Sequence, residues 1–271
     1  MDTPANTTDY EKAFLHAAAA SPESTLVALD FDGTLSDVVP DPTQAYIHPD
    51  ARDALGRLIG RIGQVAIITG RPIAEVEKLA CLDAALLSKL IVLGQYGAER
   101  LDNTGRQVPE SPASVRAALR DLEPLVERYR GLYIEDKHHA VGVHTRRAPA
   151  GTAQEIEPEV VAIATRHDLI IEPGREVLEL RAHQISKGDT LRALIREVGA
   201  QAVAMIGDDL GDVPAFDVVR QIQSAGGVGV VVVSASDERP ELASRADVTC
   251  DGPAGVAQWL DTVAPESRTA R

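Results

Sequence analysis

Two aspartates stand one residue apart in "LVALDFDGTLSD", at the end of a run of strand-forming residues, Leu26 to Leu29. Side chains at i and i+2 of an extended segment point the same way, so Asp30 and Asp32 face one pocket before Gly33 and Thr34 turn the chain. An ionised carboxylate out of water is costly unless it is paired or bound to a cation, so something cationic is expected there. Mg2+ suits the position, being hard, oxygen-seeking and content with one or two carboxylates plus substrate oxygens and water. A cation would also let a carboxylate attack a phosphate, which charge repulsion opposes by about 1 kcal/mol at ~4 Å in bulk water and about 4 kcal/mol at an effective dielectric constant of about 20. Asp208, ending another strand-like run, is the second carboxylate; Asp209 and Asp212 are placed to hold ligand waters.

A second positive group lies in "SKGDTLRALI". Ser186 and Asp189 have capping-box-like spacing, which sets Lys187 at a helix start, where free N–H groups and the macrodipole also favour anions. There Lys187 would neutralise a transferring phosphoryl group. In "IITGRP", Thr69 ends a strand and Pro72 suits a first helical turn, so the Thr69 hydroxyl and the Gly70 amide are candidate phosphate donors, with Arg71 either assisting or structural. Each feature has a plainer reading: Asp-x-Asp as a turn or cap device, Lys187 as a solvated helix-start residue, Thr-Gly as turn chemistry. What joins them is position, since all end predicted strands.

Four short apolar runs turn polar or flexible at their C-terminal ends: Leu26 to Leu29, Val65 to Ile68, Leu90 to Leu93 and Ala202 to Ile206. Between them lie helical spacings such as Leu55, Leu58, Ile59, Ile62 and Leu191, Leu194, Ile195, Val198. Alternating strand and helix predicts an α/β, Rossmann-like parallel sheet covered on both faces, with ligands beyond the carboxyl ends of its strands. A further strand at Val228 to Val233, an edge strand in "ADVTC" and a closing helix in "PAGVAQWL" complete it. The glycines before Val228 make no dinucleotide fingerprint. From about Thr104 to Ala182 the pattern changes to two helical runs, the first kinked or ended near Pro124, and two alternating strands, "GLYIEDKHHAVGVHTRR" and "EVLELRA". This reads as an inserted α+β domain at residues 104–183 within a core of 24–103 and 184–271, after a leader at 1–23 that is either frayed or a short helix.

The chain has 271 residues, 44% apolar and 25% charged, enough for a substantial core. A net charge of −14, from 27 basic and 41 acidic residues, disfavours nucleic acid and anionic membranes and favours a small substrate met by a local positive site. The two cysteines, Cys81 and Cys250, support neither a disulfide framework nor a zinc site, and fit a reducing, cytoplasmic setting. The opening residues do not read as a secretory signal, and no apolar stretch spans a bilayer. Oligomeric state is not encoded in any pattern here.

"DFDGT", Thr69, Lys187 and "GDDLGD" occur in order and resemble the four motifs of the haloacid-dehalogenase-like phosphotransferase superfamily. The resemblance implies Asp30 as the nucleophile forming an aspartyl phosphate, and Asp32 as the acid to the leaving oxygen and then the base to water. It implies magnesium held by the Asp30 side chain, the Asp32 backbone carbonyl and Asp208. "GQYGAER", "EDKHHAVGVHTR" and "GREVLELR" further resemble the trehalose-6-phosphate phosphatases, where the insert is a C2-type cap over the active site. In that family a Glu-x-Lys pair and a further Glu grip glucose hydroxyls, which implies Glu135, Lys137 and Glu179. The strand alternation independently puts Glu135 and Lys137 opposite Ile134, and Glu179 opposite Leu178 and Leu180, although an exposed cross-strand ion pair would look the same. His144 and Arg146 match the family's His-x-Arg, His144 being equally a hydrogen-bonding residue of the inner side, and Glu99 matches its Gly-x-Glu as a contact or hinge. Gly211, Val213 and Ala182 depart from the pattern. The expected activity is Mg2+-dependent hydrolysis of trehalose 6-phosphate. The alternatives are another capped sugar phosphatase, of sucrose-phosphate or mannosyl-phosphoglycerate type, or a catalytically silent sugar-phosphate sensor.

Overall fold

A computed structural model of the chain describes residues 7–174, 176–182, 185–235 and 240–263. The part before the insert carries α1 (Thr7–Ala20), β1 (Thr25–Leu29), α2 (Pro49–Leu58), β2 (Gln64–Ile68), α3 (Ile73–Ala80), α4 (Ala84–Leu87), β3 (Leu90–Gly94), β4 (Glu99–Asp102) and β5 (Gly105–Gln107). The insert carries α5 (Ala113–Arg128), β6 (Tyr133–Asp136), β7 (Ala140–His144), α6 (Thr152–Arg166), β8 (Ile170–Gly174) and β9 (Val177–Arg181). The chain then returns through α7 (Lys187–Val198), β10 (Ala202–Gly207), α8 (Val213–Ser224), β11 (Val228–Ala235), β12 (Val248–Asp251) and α9 (Gly252–Val263). Two compact units result, 1–107 with 185–271, and 108–184.

In the first unit the sheet order among the described residues is β12-β11-β10-β1-β2-β3-β4-β5, parallel from β12 to β3 and antiparallel across β4 and β5. Successive side chains of β1, β2 and β10 alternate between two cores, because a strand buried on both faces has no wet side. Val27, Leu29, Val65, Ile67, Ala204 and Ile206 share one core with residues of α1, α2, α3 and α9. Leu26, Ala28, Ala66, Ile68, Val203 and Met205 share the other with α7 and α8. The chain winds outward from β1 through β2 to β3 on one side and from β10 through β11 to β12 on the other. The strand order therefore reverses between β1 and β10, where an open α/β sheet leaves a crevice at its carboxyl edge.

The leader takes the helical alternative, and two boundaries differ from the sequence expectation. The leader is a helix over Thr7–Ala20 whose Phe14 is fully buried and stacks on Trp259 at 5.9 Å, while Glu11 accepts the Trp259 indole N–H at 3.0 Å; residues 1–6 lie outside the described residues. Helix α2 stops at Leu58, and Ile59 and Ile62 enter the same core from a bridged turn instead. The core runs through Gln107, four residues beyond the expected end at 103, because β5 pairs with β4.

The second unit is a four-stranded antiparallel sheet, β6-β7-β9-β8, with α5 and α6 packed on one face. Helix α5 does not end near Pro124 but runs through it to Arg128. The proline removes one backbone donor, and the continuous buried stripe of Val115, Ala118, Leu122 and Leu125 holds the helix together past that loss. Val141, Val143 and Leu180 point into this core, so their alternates Gly142, His144, Glu179 and Arg181 lie on the opposite face.

Candidate active site

The register at the reversal point builds the site. Leu29 pairs with Ile206, and the Asp30 amide donates to the Ile206 carbonyl at 2.9 Å, so Asp30 and Asp208 leave neighbouring strands at the same level. Gly33 follows in the left-handed region (φ 70°), and a Cβ there would fall 2.0 Å from Asp208 Oδ2; only glycine lets this turn lie against that carboxylate. Ser234, at the end of β11, donates to the Gly33 carbonyl at 2.6 Å and pins the turn. Sequence reasoning missed Ser234, although it is a polar residue ending a strand like the others.

Helix α7 begins with the reciprocal capping box its spacing predicts, Ser186 Oγ accepting from the Asp189 amide and Asp189 from that of Ser186. This start delivers Lys187 into the crevice, where Nζ lies 2.8 Å from Asp30 Oδ1 and 2.7 Å from Asp212 Oδ1. The other Asp212 oxygen accepts from the Asp208 and Asp209 amides at 3.0 and 3.2 Å. Asp212 thus orients Lys187 and the Asp208 loop while its oxygens stay within the buried carboxyl cluster, whereas Asp209 is exposed and outside it.

Oxygens of Asp30, Asp208 and Asp212 lie within 4.8 Å of one another, all three buried. Burial raises the Asp30 pKa well above the ordinary value, Lys187 opposing and the neighbouring aspartates adding to the rise. Asp208 is pushed up to about 8 by burial and then by Asp212 and Asp209. Burial works against the Lys187 ammonium too, but Asp212 and Asp30 outweigh it and hold its pKa well above normal. Three carboxylates share one ammonium, and Asp208 Oδ1 is buried without a hydrogen-bond partner. Ionising all three would strand two negative charges and an orphan acceptor out of water, which is why the carboxyl pKa values rise, and an all-oxygen donor set fits a hard divalent cation in place of those protons.

Asp32 goes elsewhere. Arg71 Nε and Nη2 each donate to one of its oxygens at 2.7 Å, and the same guanidinium reaches Glu75 at 2.9 Å and the Pro42 carbonyl at 3.0 Å. Its planar fork matches a carboxylate, which favours the structural alternative for Arg71 over the phosphate-assisting one. Thr69 is buried and its Oγ1 accepts from the Arg71 amide at 3.2 Å, a bond that leaves the hydroxyl proton unused. Glu99, expected at the sugar, is a second correction: it lies in the first unit, 3% exposed, and accepts from the Ile73 amide at 2.7 Å, capping α3.

On the open face of the second unit, Glu135 pairs across to Gly142 and Gly142 to Glu179. Lys137 Nζ is 2.6 Å from Glu179 and 3.9 Å from Glu135, and His144 Nε2 is 2.7 Å from Glu135 with its ring against Tyr133. Arg181, two residues beyond Glu179 and hence on the same face, bonds to Glu172; neither was singled out in the sequence, though the alternation signals Arg181. Arg146 sits past the end of β7, 3.3 Å from Glu176.

The trehalose-phosphatase family model matches residues 28–252. A trehalose-phosphate phosphatase of Mycobacterium tuberculosis is 32% identical over 255 residues, covering 90% of this chain; the chain spans 62% of that relative's length. The Candida albicans trehalose-6-phosphate phosphatase C-terminal domain superposes with a TM-score of 0.72 at 22% identity, over 94% of this chain and 96% of that one. A haloacid dehalogenase-like hydrolase from Bacteroides thetaiotaomicron superposes with a TM-score of 0.64 at 16% identity, over 88% and 99% of the two chains. The chain therefore belongs to the trehalose-phosphatase family and is built on the haloacid-dehalogenase-like fold.

Proposed function

We propose that this protein hydrolyses trehalose 6-phosphate to trehalose and inorganic phosphate with Mg2+ at Asp30 and Asp208, through an aspartyl phosphate on Asp30. The observation that carries the reading is the Lys187 ammonium held between Asp30 and Asp212, with the orphan Asp208 oxygen inside the same buried cluster. Bound there, Mg2+ would supply the positive charge that lets a doubly negative ester approach. Lys187 works against burial to favour the ionised form of Asp30 and faces a phosphoryl oxygen, and the Thr69 hydroxyl and Gly70 amide donate to the others. An Asp30 oxygen attacks phosphorus as the ester P–O bond breaks, and Asp32 gives its proton to the departing sugar oxygen. Asp32, now a carboxylate, takes a proton from the water that attacks phosphorus, and the Asp30 O–P bond breaks to release phosphate. For the first of these transfers Asp32 must leave the Arg71 fork and take up a proton, since a carboxylate with both oxygens accepting from a guanidinium has none to give; the proton taken from water in the second transfer restores that form for the next cycle.

The second unit acts as the cap that reads the sugar. Lys137, Glu135, Glu179 and His144 make donors and acceptors that pair among themselves on a partly exposed face, and Glu179 Oε1 is buried with no hydrogen bond, so hydroxyls exchange with them at little cost. Glu99 drops out of this reading, being committed to α3. Phosphate release from trehalose 6-phosphate tests the whole: activity abolished by a chelator and restored by Mg2+ is expected, and release indifferent to the chelator overturns the metal assignment. Equal rates on trehalose 6-phosphate, sucrose 6-phosphate and mannosyl phosphoglycerate would overturn the sugar assignment.

A further inference from the structure

Three consecutive residues after β3 occupy the left-handed region: Gln95 (φ 49°), Tyr96 (φ 59°, ψ 22°) and Gly97 (φ 104°). For Gln95 and Tyr96 this conformation is costly and persists only where the surroundings enforce it. The enforcing contacts run to two places. The Tyr96 amide donates to the Thr69 carbonyl at 2.9 Å, the Gln95 amide to that of Arg71 at 3.0 Å, and Gln95 Nε2 to that of Gly70 at 3.1 Å. All three carbonyls of the Thr69–Arg71 loop are therefore turned toward the left-handed segment. In a planar trans peptide the N–H is anti to the carbonyl, so the Gly70 N–H points away from it.

At its other end the segment meets α7. The Thr190 hydroxyl donates to the Tyr96 carbonyl, and a Cβ on Gly97 would fall 2.6 Å from Thr190 Oγ1, so glycine at 97 is what lets the helix approach. Thr190 stands three residues after Lys187, on the same side of the helix. The turn thus ties the loop carrying Thr69 and Gly70 to the helix carrying Lys187, using buried Gln95 and Thr190 as its links.

We infer that the left-handed turn at 95–97 is a splint that sets the spacing between the Thr69–Gly70 donors and Lys187, making Gln95 and Thr190 positioning residues for phosphoryl binding. The inference rests on the phosphatase reading, but its test does not depend on the sugar. Thr190→Val keeps the side-chain shape and removes the O–H; Gln95→Met does the same for the amide; Thr190→Ser restores the hydroxyl. Steady-state kinetics on trehalose 6-phosphate and on p-nitrophenyl phosphate, calorimetric binding of inorganic phosphate with Mg2+, and thermal melting are measured on each. Thr190→Val and Gln95→Met should lower kcat/KM by about tenfold or more on both substrates by the same factor, since small misplacements near a reacting group are expensive. Phosphate binding should weaken in parallel, and Thr190→Ser should return both. A melting temperature that falls while phosphate affinity at a temperature of full folding stays unchanged would overturn the splint, as would a loss confined to trehalose 6-phosphate or no rescue by serine. If wild-type protein released phosphate from neither ester, the phosphatase reading would fail while phosphate binding by the variants would still decide the splint.

Discussion

Lys187 and Lys137 each sit between two carboxylates, and the surroundings of the two ammonium groups differ. Lys187 and its partners Asp30 and Asp212 are 4%, 7% and 0% exposed along their side chains, with contacts of 2.8 and 2.7 Å. Lys137 and its partners Glu179 and Glu135 are 21%, 13% and 29% exposed, with contacts of 2.6 and 3.9 Å. Solvent weakens the second set, and its members can trade one partner for another cheaply. In the first, removal of any member leaves a buried polar group without its partner, so the arrangement is rigid, and its raised carboxyl pKa values mark a site short of positive charge. A fixed charge pattern suits a phosphoryl group whose charge is constant from ester to ester; an exchangeable one suits hydroxyls, which differ between sugars.

Substitutions separate the two regions. Asp30→Asn should cut phosphate release by at least about a thousandfold on trehalose 6-phosphate and p-nitrophenyl phosphate alike, as loss of a nucleophile does; near-normal turnover would remove Asp30 from the chemistry. Lys187→Met should abolish activity on both and also cost about 3–5 kcal/mol in urea unfolding without metal, the penalty for breaking a buried ion cluster. Wild-type stability in that variant would show that the cluster is wetter than its burial says. Glu135→Ala and Lys137→Ala should lower kcat/KM about a hundredfold on trehalose 6-phosphate, the scale of two lost charged hydrogen bonds, with p-nitrophenyl phosphate turnover within about twofold of wild type. Equal losses on both esters would mean that the open face does not read the sugar.

The smallest effect lies in pH. Asp208 titrates near 8 in the metal-free fold against an ordinary 3.8. A raised carboxyl pKa means that the folded state binds the extra proton between those values, so its stability contribution is full below about pH 4 and is lost as pH rises through 8. Mg2+ replaces that proton, so its stabilisation should grow with pH. The Mg2+-induced rise in melting temperature should be larger at pH 8 than at pH 6; a shift independent of pH would take Asp208 out of the metal site.

The strands of the core and their polar endings are legible in the sequence because each is a run of apolar residues cut off abruptly, and sheet topology alone then brings Asp30, Lys187 and Asp208 together. Partnerships between distant segments are not. Nothing local to Arg71 says that its fork will close on Asp32, 39 residues earlier. Glu99 reads as a contact or hinge residue through its Gly-x-Glu match until the fold places it under α3. The sequence leaves the leader as frayed or a short helix because its anchor, Trp259, lies 245 residues beyond Phe14. Strands β4 and β5 are too short to show a period, and the left-handed backbone at Gln95 and Tyr96 has only Gly97 to announce it. In the insert, by contrast, alternation in the sequence sets Glu135 and Lys137 opposite Ile134 and Glu179 opposite Leu178 and Leu180, and those three apolar residues pack in the second unit's core, so the open face is legible before its ion pairs are.

Covalent capture on Asp30 is the most direct test of the chemistry. Wild-type protein mixed with excess trehalose 6-phosphate and Mg2+, quenched in acid within the first turnover and digested, should yield the peptide containing Asp30 heavier by one phosphoryl group, and Asp30→Asn should yield none. Phosphate released at the wild-type rate with that peptide unmodified, or a phosphoryl group found on another residue, would contradict Asp30 as the nucleophile.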